Sequence, residues 1–148
     1  MASLIFVLGC PRKKVLQLRA AEVVRVVRKL SGNRCYRVFL MGTSNQIGIM
    51  RDVVTMKCTL EPNVRSTVEA ALLSLQHRKK YEARGGKVNE VVVVTSRDHS
   101  ERAEFVFAKC HGKCVRMQLV EKSGILPERR MRERKKIINV KLLSRLLA

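Results

Sequence analysis

The chain has 148 residues, 46% of them hydrophobic, and its 31 lysines and arginines against 12 acidic residues set a formal charge of +19. That apolar content excludes a disordered basic tail, and no apolar run approaches the roughly 20 residues that cross a bilayer. A charge of this size repels itself unless polyanions neutralise it, so the composition predicts a folded, single-domain protein bound to nucleic acid.

Five cysteines, Cys10, Cys35, Cys58, Cys110 and Cys114, form an odd set without the dense pairing of small secreted domains, which predicts reduced thiols. Met1 to Leu8 makes a poor secretory signal, because its positive charges follow the apolar stretch. A cytosolic or organellar compartment is expected.

Leu4 to Leu8 reads as a short buried strand ended by Gly9-Cys10-Pro11. From Val15 to Leu30 the residues Leu16, Ala20, Val23, Val24 and Val27 recur at helical spacing, opposite Arg19, Glu22, Arg25 and Lys29. Ser31-Gly32-Asn33 stops this helix. Tyr36 to Met41 is the next predicted strand, with Gly42-Thr43-Ser44-Asn45 as a hairpin turn. Val54, Met56, Cys58 and Leu60 then alternate with Thr55, Lys57 and Thr59, the pattern of a strand with one face on the core. Ser66-Thr67-Val68-Glu69 matches a capping box and opens a second helix, which Gly85-Gly86 ends.

Val91 to Val94 is an unbroken β-branched run, read as a central strand buried on both faces. Glu104 to Cys110 and Cys114 to Glu121 are expected to form a hairpin around His111-Gly112-Lys113, with Asp98 to Glu101 as an exposed turn before it. Pro127 opens a final helix whose first half, Glu128 to Lys136, carries six basic and two acidic residues. The whole reads as an α+β domain of order β-α-β-β-α-β-β-β-α with a mixed or antiparallel sheet. Residues 1–126 form the core and 127–148 a basic C-terminal helix packed on or extending from it.

Three basic clusters are the candidate RNA contacts: Arg12, Lys13 and Lys14; Arg78, Lys79, Lys80, Arg84 and Lys87; and Arg129, Arg130, Arg132, Arg134, Lys135 and Lys136. RNA is preferred over duplex DNA because no zinc-finger spacing, basic zipper or homeodomain-like helix is present. Aromatics are only 4% with no tryptophan, which disfavours stacking of successive bases. Phe105-Val106-Phe107 resembles one strand of an RNA-recognition fold, yet its glycine and basic context is missing and core packing is expected.

Cys110 and Cys114 are the best metal candidates, but no second Cys or His pair accompanies them, so no metal is predicted. Phe6 to Pro11 followed by Lys13 and Lys14 resembles the strand-to-loop passage of nucleotide kinases. The second glycine and the Gly-Lys-Ser/Thr ending are absent, so a packed strand is expected there. Asp52 and Asp98 are the only aspartates, and no carboxylate pair or Ser-His-Asp set can be placed, so no enzyme, cofactor or small-molecule substrate is expected.

These readings converge on a structural component of a ribonucleoprotein. The chain is expected to be a ribosomal protein that neutralises ribosomal-RNA phosphates and packs against neighbouring ribosomal proteins, with no membrane partner. A mitochondrial ribosome is slightly preferred to a cytoplasmic one, because Arg12 to Leu30 is acid-poor and amphipathic like a transit peptide. The alternatives are a free RNA- or DNA-binding processing or architectural factor, and an assembly subunit that meets acidic proteins.

Overall fold

The computed structural model describes residues 1–30 and 35–120. Strands and helices alternate strictly: β1 (Ala2–Leu8), α1 (Lys13–Lys29), β2 (Cys35–Met41), α2 (Ser44–Arg51), β3 (Thr59–Glu61), α3 (Thr67–Ala83), β4 (Val88–Ser96), α4 (Ser100–His111) and β5 (Val115–Val120). The five strands form one sheet in the order β3-β2-β1-β4-β5. Every pairing is parallel. This corrects the expected mixed or antiparallel sheet and its element order. Parallel neighbours need a crossover of a dozen or more residues, and each crossover here carries a helix.

The strand side chains alternate into two cores. Ile5, Val7, Val38, Leu40, Val92 and Val94 meet Leu16, Ala20 and Val23 of α1 and Ile47 and Met50 of α2. On the other face Leu4, Phe6, Phe39, Met41, Val91 and Val93 meet Ala70 and Ala71 of α3 and Val106 and Phe107 of α4. Helices therefore cover both faces, which explains why β1 is buried at all seven positions and why Val91–Val94 is apolar without a break. Phe6 and Phe39 stack with ring centroids 4.7 Å apart at the middle of the second core. Among the described residues no helix is long and apolar enough to cross a membrane.

Three local expectations are overturned. Residues 104–110 lie in α4, and Asp98 to Glu101 belongs to the 3-10 turn Arg97–His99 and the start of that helix. Ala103, Val106 and Phe107 fall at helical spacing and are buried, so the helical period outweighs the Phe105/Phe107 alternation. His111-Gly112-Lys113 is accordingly a helix-to-strand connection, with Gly112 at φ 70°, and not a hairpin. Residues 54–58 are not a strand, because Arg51 Nη1 donates to Val54 O and Met56 O and turns those carbonyls away from any ladder. Only Thr59–Glu61 pairs, and it does so in parallel with β2.

The hairpin expected after Met41 is instead α2. Thr43 Oγ1 accepts from the Gln46 amide at 3.3 Å and the Gln46 side chain accepts from the Thr43 amide at 3.0 Å, a complete capping box. The predicted C-terminal helix, 127–148, lies outside the described residues.

Candidate functional site

A parallel sheet with this connectivity places the N-terminus of every following helix along one edge, where the strands end. The chain leaves β1 through α1 on one face and leaves β4 through α4 on the other, so the order reverses between β1 and β4. That switch point leaves a crevice outside the strand ends, the usual ligand position in doubly wound sheets. A cavity of about 790 Å³ opens there, and all four of β1 to β4 contribute the loops around it.

Two glycines form the floor. A Cβ on Gly9 would stand 2.3 Å from Gln46 Oε1 and 2.9 Å from Met41 O, and one on Gly42 would stand 2.6 Å from the same Gln46 oxygen. That oxygen is held by the α2 capping box, so it has little room to yield. The β1 and β2 loops therefore approach closely only because both residues lack a side chain.

Arg19 holds the back wall. It is 1% exposed, and Nη1 donates to Leu8 O and Gly9 O while Nε and Nη2 donate to Ser96 Oγ at 3.2 and 2.9 Å. One guanidinium thus clamps the carboxyl ends of β1 and β4 together across the switch point.

The rim is strongly cationic. Arg12, Arg19, Arg65 and Arg102 line the cavity against one carboxylate, Asp98. Arg12 Nη2 lies 3.9 Å from Asp98 Oδ2, and His99 Nε2 lies 3.8 Å from the same oxygen. Arg102 Nη2 donates to His99 Nδ1 at 3.3 Å, which puts the proton of a neutral His99 on Nε2, towards Asp98. Ser66, Thr67 and Val68 form the opposite wall at the start of α3. Val64 N donates to Gly42 O, so the chain turns back over the end of β2 before that helix begins. Ser66 Oγ caps the Glu69 amide, while by helix geometry the Thr67 and Val68 amides lack an intrahelical acceptor.

The structure separates two of the predicted basic clusters. Arg12, Lys13 and Lys14 are exposed at the carboxyl edge, beside the crevice. Lys79, Lys80, Arg84 and Lys87 are exposed at the opposite edge, where Lys87 O accepts from the Ala2 amide at the start of β1. Arg78 is half-buried and engaged within the fold, donating to Glu82 at 2.9 Å and to Cys114 Sγ at 3.2 Å. Arg129, Arg130, Arg132, Arg134, Lys135 and Lys136 lie outside the described residues.

Cys114 also donates to His111 O, and His111 Nε2 meets Ser74 Oγ at 2.8 Å. Since Ser74 donates to Ala71 O, its oxygen accepts from a protonated His111 Nε2. Burial, with the Arg78 guanidinium as a second cause and Glu82 opposing, lowers the His111 pKa to about 4. Burial raises the Cys110 thiol above its ordinary value. The five cysteines are unpaired thiols, and among the described residues no group of three or more His, Cys, Asp or Glu is placed to hold a metal.

Arg19, Arg65, Asp98, His99 and Arg102 were not among the residues singled out for binding from sequence. Their signal is positional: each follows a strand in a βα unit, legible only once residues 100–111 are read as a helix. Comparison of the chain with protein-family models finds no match, and comparisons with curated proteins and with solved structures find none either.

Proposed function

We propose that the chain is a doubly wound domain that binds a small phosphate-bearing ligand in the crevice at the carboxyl edge of its sheet. The observation that carries this is the lining of the switch-point cavity, four arginines against one aspartate. Its volume, about 790 Å³, is in the range that encloses a metabolite-sized molecule. Arginine forks suit phosphate oxygens, and Leu8, Val15, Met41 and Val64 give an uncharged part of the ligand a surface to pack on. The ordinary loop after β1 in phosphate-binding folds is glycine-rich. Here the arginines take over much of that role.

A second reading, an RNA-bound component of a ribonucleoprotein, is favoured by the +19 charge and by the exposed Lys79, Lys80, Arg84 and Lys87 at the far edge. The two readings use different residues, so one set of titrations separates them. Calorimetric titration of the full chain with inorganic pyrophosphate is expected to weaken about tenfold or more in Arg65→Ala or Arg102→Ala. The Lys79→Ala/Lys80→Ala pair should leave it within about twofold. Binding of a short RNA is expected to show the reverse dependence. Pyrophosphate binding that declines equally wherever a positive charge is removed would refute the crevice as the site.

A further inference from the structure

The cationic groups of the crevice stand on two walls. Arg65 belongs to the β3–α3 passage and shares its wall with Thr67 and Val68, whereas Arg12 and Arg102 belong to the β1–α1 and β4–α4 passages on the side of Asp98 and His99. The helices α3 and α4 pack side by side on one face of the sheet. Neighbouring helices keep their axes about 8–10 Å apart, so their starting turns, which carry the two walls, are offset by about that distance. A single phosphate, with its oxygens about 2.5 Å apart, is too small to meet both walls at their backbone positions. Between them lies an uncharged floor of Met41, Gly42 and Val64.

The side chains differ as well. Arg65 is exposed, and its guanidinium has no ion-pair partner among the described residues, so it presents its full charge to the cavity mouth. On the other wall Asp98 offsets part of the charge of Arg12 and orients His99, and it supplies an acceptor for a ligand hydroxyl.

We propose that the ligand of this crevice is a bis-anionic metabolite, with two phosphate or carboxylate groups separated by a hydroxyl-bearing uncharged centre. One anion is met by Arg65 and the amides at the start of α3, and the other by Arg12 and Arg102. This rests on the reading of the crevice as a phosphate site. It adds that the second anion is recognised separately, by Arg65.

The test is calorimetric titration of the full chain with a hexose 6-phosphate, the corresponding hexose 1,6-bisphosphate and inorganic phosphate, in the Lys79→Ala/Lys80→Ala background to reduce diffuse binding. The bisphosphate is expected to bind about tenfold or more tightly than the monophosphate, the gain from one additional charged hydrogen-bonded group. In Arg65→Ala that preference should fall to about twofold or less, while monophosphate affinity is retained. Arg65 is exposed, so its removal leaves the fold intact, which a thermal melt checks. Monophosphate and bisphosphate binding equally well, or a bisphosphate preference that survives Arg65→Ala, would overturn the two-anion proposal and leave the crevice reading standing. Failure of all three probes to bind would overturn both.

Discussion

Arg19 is the costliest residue in the chain to bury and one of the most fully used. Its guanidinium satisfies two backbone carbonyls at the end of β1 and a hydroxyl at the end of β4. Arg19→Met keeps the packing volume but leaves Leu8 O and Gly9 O without these donors. The expected loss is about 3 kcal/mol, read as a lower urea midpoint with an unchanged slope. A midpoint equal to wild type would show that water or another group takes over both carbonyls. His111 gives a pH signature of known sign. Its folded pKa, about 4, lies below the ordinary value near 6.5. Between those values the unfolded chain binds the extra proton, so this contribution is complete above about pH 6.5 and is lost as pH falls towards 4. Urea unfolding at pH 4.5 and 7 should therefore show a larger stability difference in wild type than in His111→Gln. The excess should be on the order of 1–3 kcal/mol. Identical differences in the two proteins would mean that His111 is protonated in the fold.

The helices show how much of an element is written locally. Ser66 was legible as a cap and does accept from the Glu69 amide at 3.1 Å, but Glu69 Oε2 reaches the Arg65 amide instead of closing on Ser66. Ser66→Ala is expected to cost about 1 kcal/mol, seen as a lower melting temperature, whereas Ser66→Asp should retain most of the stability. Equal losses in both variants would argue that the hydroxyl serves another partner. Thr43-Ser44-Asn45-Gln46 carries the same kind of signal, and reading Gly42 to Asn45 as a turn concealed it. Residues 104–110 failed for a different reason. Phe105 and Phe107 alternate as in a strand, and only the burial of Ala103, Val106 and Phe107 together reveals the 3.6-residue period. At 54–60 the alternation is genuine in sequence, yet Arg51 takes the carbonyls that a ladder would need.

At the scale of the whole molecule, alternation within a strand tells which side chains share a face but not which strand lies alongside. The parallel arrangement was legible in one place only. Val91–Val94 is apolar on both faces, which a sheet covered by helices on both sides requires. The crevice was less legible than the fold, because Gly9, Arg12, Gly42, Arg65, Asp98 and Arg102 are scattered over four loops that meet only when the strands are ordered β3-β2-β1-β4-β5. Charge was visible at once, but its distribution was not. The fold splits the basic residues between the two edges of the sheet, and only one edge carries the cavity. The central claim is that anions are held at that edge. Its most direct measurement is hydrogen exchange of the full chain with and without saturating inorganic pyrophosphate. Slower exchange is predicted in the loops after β1, β3 and β4, at residues 9–14, 65–69 and 98–103, with residues 79–88 unchanged. Protection confined to 79–88, or spread evenly over both edges, would contradict it.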